Sequence, residues 1–213
     1  MPETRRTRGY RKKERTRRQL LAAGMRVLST KGDTLTASDV STEAEVAVGT
    51  FYNYFADRDA LIDAVTEEQL HTLAATAATA EEPIPDPALR VALTSAVILR
   101  RAATDTPWAR LVLRLVNRPT VYNRINGYLR EDLSEGLAEG RFDTGPDDAT
   151  LDQTIGLLVM TIRRIVAGLA DDDVSKRSIE RGLRALGVSA PEARTLAAAA
   201  VATASRTPAL SAR

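Results

Sequence analysis

No segment of this sequence makes a convincing β-strand of alternating Val, Ile, Thr or Tyr. Apolar side chains recur three and four positions apart instead, from Leu20 and Leu21 to the run Leu196–Ala202. That period confines the chain to α-helices, and the abundance of Ala and Leu with only 4% aromatic residues reinforces it. A chain of 213 residues can bury a substantial core as one domain or two small ones. No stretch approaches the ~18 apolar residues of a membrane span, so no membrane partner is expected.

Capping residues and breakers divide the pattern. A first helix is predicted from about Arg11 or Thr16 to Lys31, burying Leu20, Leu21, Ala23, Val27 and Leu28 and stopped by Gly32. A short helix starts at Thr36, where Thr36-Ala37-Ser38-Asp39 has the spacing of a capping box. A second short helix covers about 48–54, and Asp57 reads as the N-cap of a long fourth helix with Leu61, Ile62, Val65 and Leu70 inward. Pro83, Pro85 and Pro87 end that helical run. Beyond them, helices are expected at about 87–104, 106–117, 119–139, 147–170, 174–186 and 190–204, with Pro107 and Pro119 at helix starts and a second capping box at Ser189–Glu192.

Charge is divided by position. Residues 1–31 carry eleven Lys or Arg against two acids, a net of +9. The other 182 residues hold 19 basic and 26 acidic side chains, a net of −7. A basic end on an acidic body points to a polyanion at the amino terminus. Arg5-Arg6 is not followed by the apolar segment of an export signal, and the chain is expected to be cytoplasmic.

Two short helices joined by a tight turn and preceded by a longer one form the helix-turn-helix pattern. In it the first of the pair buttresses the second, which enters the major groove of DNA. Ala37, Val40, Ala44, Val46, Phe51 and Phe55 are its expected core. Thr36, Ser38, Ala47, Val48, Gly49, Thr50, Tyr52, Asn53 and Tyr54 remain for DNA. The hydroxyls of Thr50, Tyr52 and Tyr54 suit phosphates; Asn53 suits adenine; Val48 or the Thr50 methyl suits thymine. Gly49 permits close backbone approach, and Arg58 adds a phosphate cation. Arg5, Arg6, Arg8, Arg11, Lys12 and Lys13 are expected to reach along the phosphates or into the minor groove.

Across about Leu20–Leu61 the chain resembles the tetracycline-repressor (TetR) family of bacterial transcription regulators. The resemblance centres on Leu35-Thr36-Ala37-Ser38-Asp39-Val40 and Val48-Gly49-Thr50-Phe51-Tyr52-Asn53-Tyr54-Phe55, closed by Arg58-Asp59-Ala60-Leu61. It implies an all-α homodimer: an N-terminal three-helix helix-turn-helix domain, then a larger helical domain for ligand binding and dimerisation. It implies a repressor, bound to double-stranded operator DNA and released by a small-molecule effector. Two positions depart from the family pattern. Glu45 stands in the turn where Gly is usual, at a cost of about 1 kcal/mol if φ is positive there. Gly24 stands in the first helix where Ala is common, a local cost of about 1 kcal/mol.

The expected organisation is a basic flexible arm and helix start (1–18), the helix-turn-helix domain (11–57), a connecting helix (58–80), an effector-binding and dimerisation domain (87–204) and a frayed tail (205–213). Val97, Arg101, Trp108, Leu111, Leu115, Tyr122, Met160, Thr161 and Arg164 are the candidate effector pocket, an apolar set with a few polar groups. Each can equally serve core or interface. Arg163 and Arg164 interrupt an apolar run and are expected to pair with acids across an interface, with a ligand anion as the alternative partner. The helices at about 147–170 and 174–204 are the dimer candidates. With no Cys, one His and no Gly-rich phosphate loop, neither a metal nor a cofactor is expected, and a helical enzyme is a remote alternative. A nearer one is a DNA-binding regulator whose second domain binds a protein or no ligand.

Overall fold

The structure, a computed structural model, describes residues 8–77 and 84–206, and they contain helices and no strand. The first seven residues of the expected arm, residues 207–213 of the expected tail and the side chain of Leu70 lie outside the described ones. The chain divides after Gln69 into two compact units. The first holds α1 (Arg8–Lys31), a short 3-10 turn (Gly32–Thr34), α2 (Ala37–Glu43), α3 (Val48–Tyr52) and the start of α4 (Arg58–Ala77). The second holds α5 (Pro87–Thr104), α6 (Thr106–Leu115), α7 (Pro119–Ala138), α8 (Asp148–Val166), α9 (Val174–Ala185) and α10 (Ala190–Arg206).

In the first unit, Leu20, Leu21, Ala23, Val27 and Leu28 of α1 close on Val40, Ala44, Phe51 and Phe55, with Leu61, Ile62 and Val65 of α4 completing the core. Ala37 and Val46, expected inside, are only half-buried. Gly32 has φ +59, the left-handed stop that ends α1. α1 begins at Arg8, three residues before the earliest start read from the sequence, because Arg and Lys are good helix formers as well as charges.

In the second unit, side-chain caps set the starts. Asp86, Asp105 and Asp147 accept the N–H groups of Ala88, Trp108 and Thr150 at 2.9, 3.0 and 2.7 Å. α5 and α10 pack on each other, and Ala88, Ala92 and Ala96 of the one and Ala193, Ala197 and Ala200 of the other are all buried. Two predicted details change. α8 stops at Val166 rather than near 170, because Gly168 takes φ +67 and turns the chain. The Glu192 carboxylate, expected to close a capping box, instead accepts from Arg141 at 2.7 Å.

Candidate nucleic-acid interface

The local chemistry at Thr36 orders the whole motif. Its hydroxyl accepts the Asp39 N–H at 3.1 Å while the Asp39 carboxylate accepts the Thr36 N–H at 3.0 Å. The same carboxylate accepts from Lys31 Nζ at 2.6 Å, and this hydrogen bond, with those from Thr36, holds the Asp39 pKa below its usual value. Farther along, Arg26 donates to Glu43 at 2.6 Å and Gln19 to the Ala44 carbonyl at 2.7 Å. α1 is thus fastened to both ends of α2, and two of its cations are committed to that task.

The turn between α2 and α3 passes through Glu45 at φ +55, the one non-glycine residue with positive φ among those described. The Glu45 N–H donates to the Thr42 carbonyl and that of Val46 to the Ser41 carbonyl, which closes α2. The exposed carboxylate makes no ion pair among the described residues. Ala47 occupies the N-cap of α3 and supplies no side-chain hydrogen bond.

α3 is anchored by Phe51, fully buried and 5.7 Å from the Phe55 ring, while Arg17 lies 5.9 Å over Phe55. This anchoring turns Val48, Gly49, Tyr52 and Asn53 to the surface; Val48 is 41% and Tyr52 58% exposed. Thr50 and Tyr54 are half-buried at its edges, and Thr36, Ser38, Ala47 and Arg58 are exposed. A Cβ added to Gly49 would meet nothing within 4 Å, so no intramolecular contact requires glycine at this helical position. Arg11, Lys12 and Lys13 lie exposed on α1, with Arg15 and Arg18. The backbone of Arg8 is helical; Arg5 and Arg6 lie outside the described residues.

A model of the C-terminal domain of tetracyclin repressor-like proteins matches residues 86–199, more than half of the chain, and a model of bacterial regulatory proteins of the tetR family matches residues 20–65. The chain belongs to the TetR family. It is an all-α, helix-turn-helix DNA-binding regulator of that family. Over 57 residues it is 46% identical to YvdT, an uncharacterized HTH-type transcriptional regulator of Bacillus subtilis, a stretch that spans 26% of this chain and 29% of that one. RolR, solved in complex with resorcinol, is similar over 88% of this chain and 95% of its own, at 29% identity and a TM-score of 0.66. FadR of Bacillus subtilis, solved with stearoyl-CoA, shares the fold over 81% of this chain and 97% of its own, at 21% identity and a TM-score of 0.64.

The second domain brings together part of the candidate effector set. Arg101 is 8% exposed and its guanidinium stacks 4.5 Å from the Trp108 ring; Leu111 and Leu115 are buried. Burial lowers the Arg101 pKa against the opposing pull of Asp105. The Trp108 indole N–H is buried and has no hydrogen-bond partner among the described residues. Val97 packs half-buried on the core. Tyr122 donates to Asp152. Thr161 is buried beside Ser178, their hydroxyls 2.9 Å apart. Met160 is 52% exposed and Arg164 is exposed, whereas Arg101 and Trp108 are buried. Arg164 donates to the Leu169 carbonyl at 3.0 Å, a contact at the end of α8. A cleft absent from the sequence reading opens beside Ser95, Thr154 and Ser178 against Leu158 and Leu183; hydroxyls set within apolar helical faces are the signal that could have found it. No group of metal-ligating side chains occurs among the described residues, and no described helix is long and apolar enough to cross a membrane.

Proposed function

We propose that this regulator is a cytoplasmic homodimeric repressor that binds a palindromic operator and leaves it when a small molecule occupies its second domain. The observation that carries the DNA contact is Gly49. A glycine in a helix costs up to about 1 kcal/mol relative to alanine, and no neighbour among the described residues gives Gly49 a packing reason. Close approach of an outside surface does. Val48, Tyr52 and Asn53 flank it on the exposed face, with Thr36, Ser38, Ala47, Thr50, Tyr54 and Arg58 at the rim. Arg5, Arg6, Arg8, Arg11, Lys12 and Lys13 supply phosphate attraction.

Dimerisation is assigned to α8 with α9 and α10. One five-residue recognition helix reads few base pairs, and a two-fold axis doubles them. The outer face of α8 carries exposed Met160 and, one turn earlier, Gly156, which likewise has nothing within 4 Å of an added Cβ. RolR with resorcinol, similar along nearly the whole chain, supports a small-molecule effector here. Arg101 and Trp108 are its polar anchors, and α4 carries the response to the recognition helices by a shift between two dimer populations. Footprinting of DNA flanking the protein's own gene tests the reading, with sedimentation to give the mass. A two-fold symmetric footprint by a particle of twice 23.1 kDa is expected. A monomer, or no protection, would sink it.

A further inference from the structure

Between Lys31 and Arg58 the chain contains no Lys, Arg, Gln or His at all. The same span holds five acids: Asp33, Asp39, Glu43, Glu45 and Asp57. The cations bordering it from α1 are engaged, Lys31 with Asp39 and Arg26 with Glu43. The two helices that face the groove therefore bring neither a guanidinium nor an ammonium to it. Guanine is read in the major groove chiefly by Arg or Lys donating to its O6 and N7. That means of readout is missing from α2, the turn and α3.

What the exposed face of α3 does present is narrow. Val48 offers methyl groups at 41% exposure, on the first residue of the helix. Asn53, exposed near its end, offers the amide that can both donate to and accept from adenine. Tyr52 offers a hydroxyl on a rigid ring, and Gly49 between them lets the backbone come close. A methyl left in water gains most where it meets another apolar group, and the thymine C5-methyl is the apolar group of the major groove.

We infer that the half-site core read by α3 is A·T, with Val48 on a thymine methyl and Asn53 on an adenine, and that guanine is not specified there. The inference rests on the DNA-reading role proposed above and adds the chemistry of the partner. Binding of the full-length protein to a pool of duplexes with randomised centres, followed by sequencing, tests both. Inverted repeats are expected, with A·T pairs at the most constrained core positions. Replacing those thymines by deoxyuridine, which removes only the methyl, should weaken binding about fourfold per contacted methyl. In Val48→Ala, which keeps only the Cβ methyl, the penalty from the same replacement should shrink; this exposed site leaves the fold intact, which circular dichroism verifies. Inverted repeats with guanine fixed at the core, or uracil-containing sites bound as well as the originals, would overturn the inference and leave the operator reading standing. Failure to enrich any repeat would overturn both.

Discussion

Gly24 of α1 and Leu61 of α4 meet so closely that a Cβ on Gly24 would stand 3.0 Å from Leu61 Cδ2 and 3.2 Å from Cδ1. Leu61 is fully buried, so it must shift by a few tenths of an ångström within a closed core to admit that atom. The glycine that looks like a weakness in the sequence of α1 is therefore where α4 docks. Gly24→Ala gains about 1 kcal/mol of helix propensity but overpacks a closed core at about 1–3 kcal/mol. A net loss of about 1 kcal/mol is expected, read as a lower melting temperature. A rise in melting temperature would show that Leu61 yields.

Glu45 separates strain from charge. At φ +55 a side chain costs about 1 kcal/mol relative to glycine, and its carboxylate, bound to no cation among the described residues, stands in the turn before the recognition helix. Glu45→Gly should raise stability by about 1 kcal/mol in urea titration. Glu45→Gln keeps the strain and removes the anion, so it should leave stability unchanged while tightening binding to a random-sequence duplex at low salt. If both variants bind DNA like the parent, the carboxylate does not face the phosphates.

Much of this geometry is legible before folding because it is local. Thr36 with Asp39, Asp57, Pro107 and Pro119 all announce helix starts through hydrogen bonds or ring constraints that span only a few residues. Thr36, Ser38, Ala47, Val48, Gly49, Tyr52, Asn53 and Arg58 can be placed on the surface because Phe51 and Phe55 must face the core. Where the outcome depends on a neighbour far along the chain, the pattern is silent. Met160 and Arg164 sit on an outer face of α8 because α5, α6 and α9 take its other sides, and no period within α8 says which stripe those helices claim. Glu192 has capping-box spacing, but Arg141, distant in sequence, takes its carboxylate. Gly168 ends α8 inside a run whose apolar content reads on to 170.

Gly49→Ala should move stability and DNA binding in opposite directions. Open space around the added Cβ means no clash in the free protein, and the helix gains up to about 1 kcal/mol. On the proposed DNA-facing surface, an added methyl would hold the backbone off. The melting temperature should rise while affinity for a selected operator falls at least tenfold. Unchanged affinity would remove Gly49 from the interface.

Arg141 ties three elements of the second domain together. It donates to both carboxylate oxygens of Asp86, at 2.9 and 3.1 Å, and to Glu192 at 2.7 Å. Burial pushes the Asp86 carboxyl up, but the hydrogen bonds from Arg141 and the Ala88 N–H outweigh it and leave its pKa below the ordinary value. A carboxyl depressed on folding contributes stability above its unfolded pKa, about 3.9, and loses it as the pH falls through the folded value. Arg141→Met should cost about 1–2 kcal/mol at neutral pH. The difference from the parent should shrink in unfolding curves taken progressively below about pH 4. A deficit independent of pH would assign the role of Arg141 to packing alone.

The basic residues of α1 should divide by what they touch. Arg26 and Lys31 serve Glu43 and Asp39 at 2.6 Å each. Arg11, Arg15 and Arg18 are exposed, and they share one side of the helix at spacings of four and three residues. Each cation that neutralises a phosphate on duplex DNA contributes about 0.9 to the slope of log affinity against log salt. The triple change of Arg11, Arg15 and Arg18 to Gln should therefore reduce the slope by about 2.7 per subunit if all three make contact. Arg26→Gln should leave the slope alone and register only in stability, by less than about 1 kcal/mol for so exposed a pair. A loss of about 0.9 from Arg26→Gln would mean that the Glu43 pair opens on DNA and that Arg26 also reaches a phosphate.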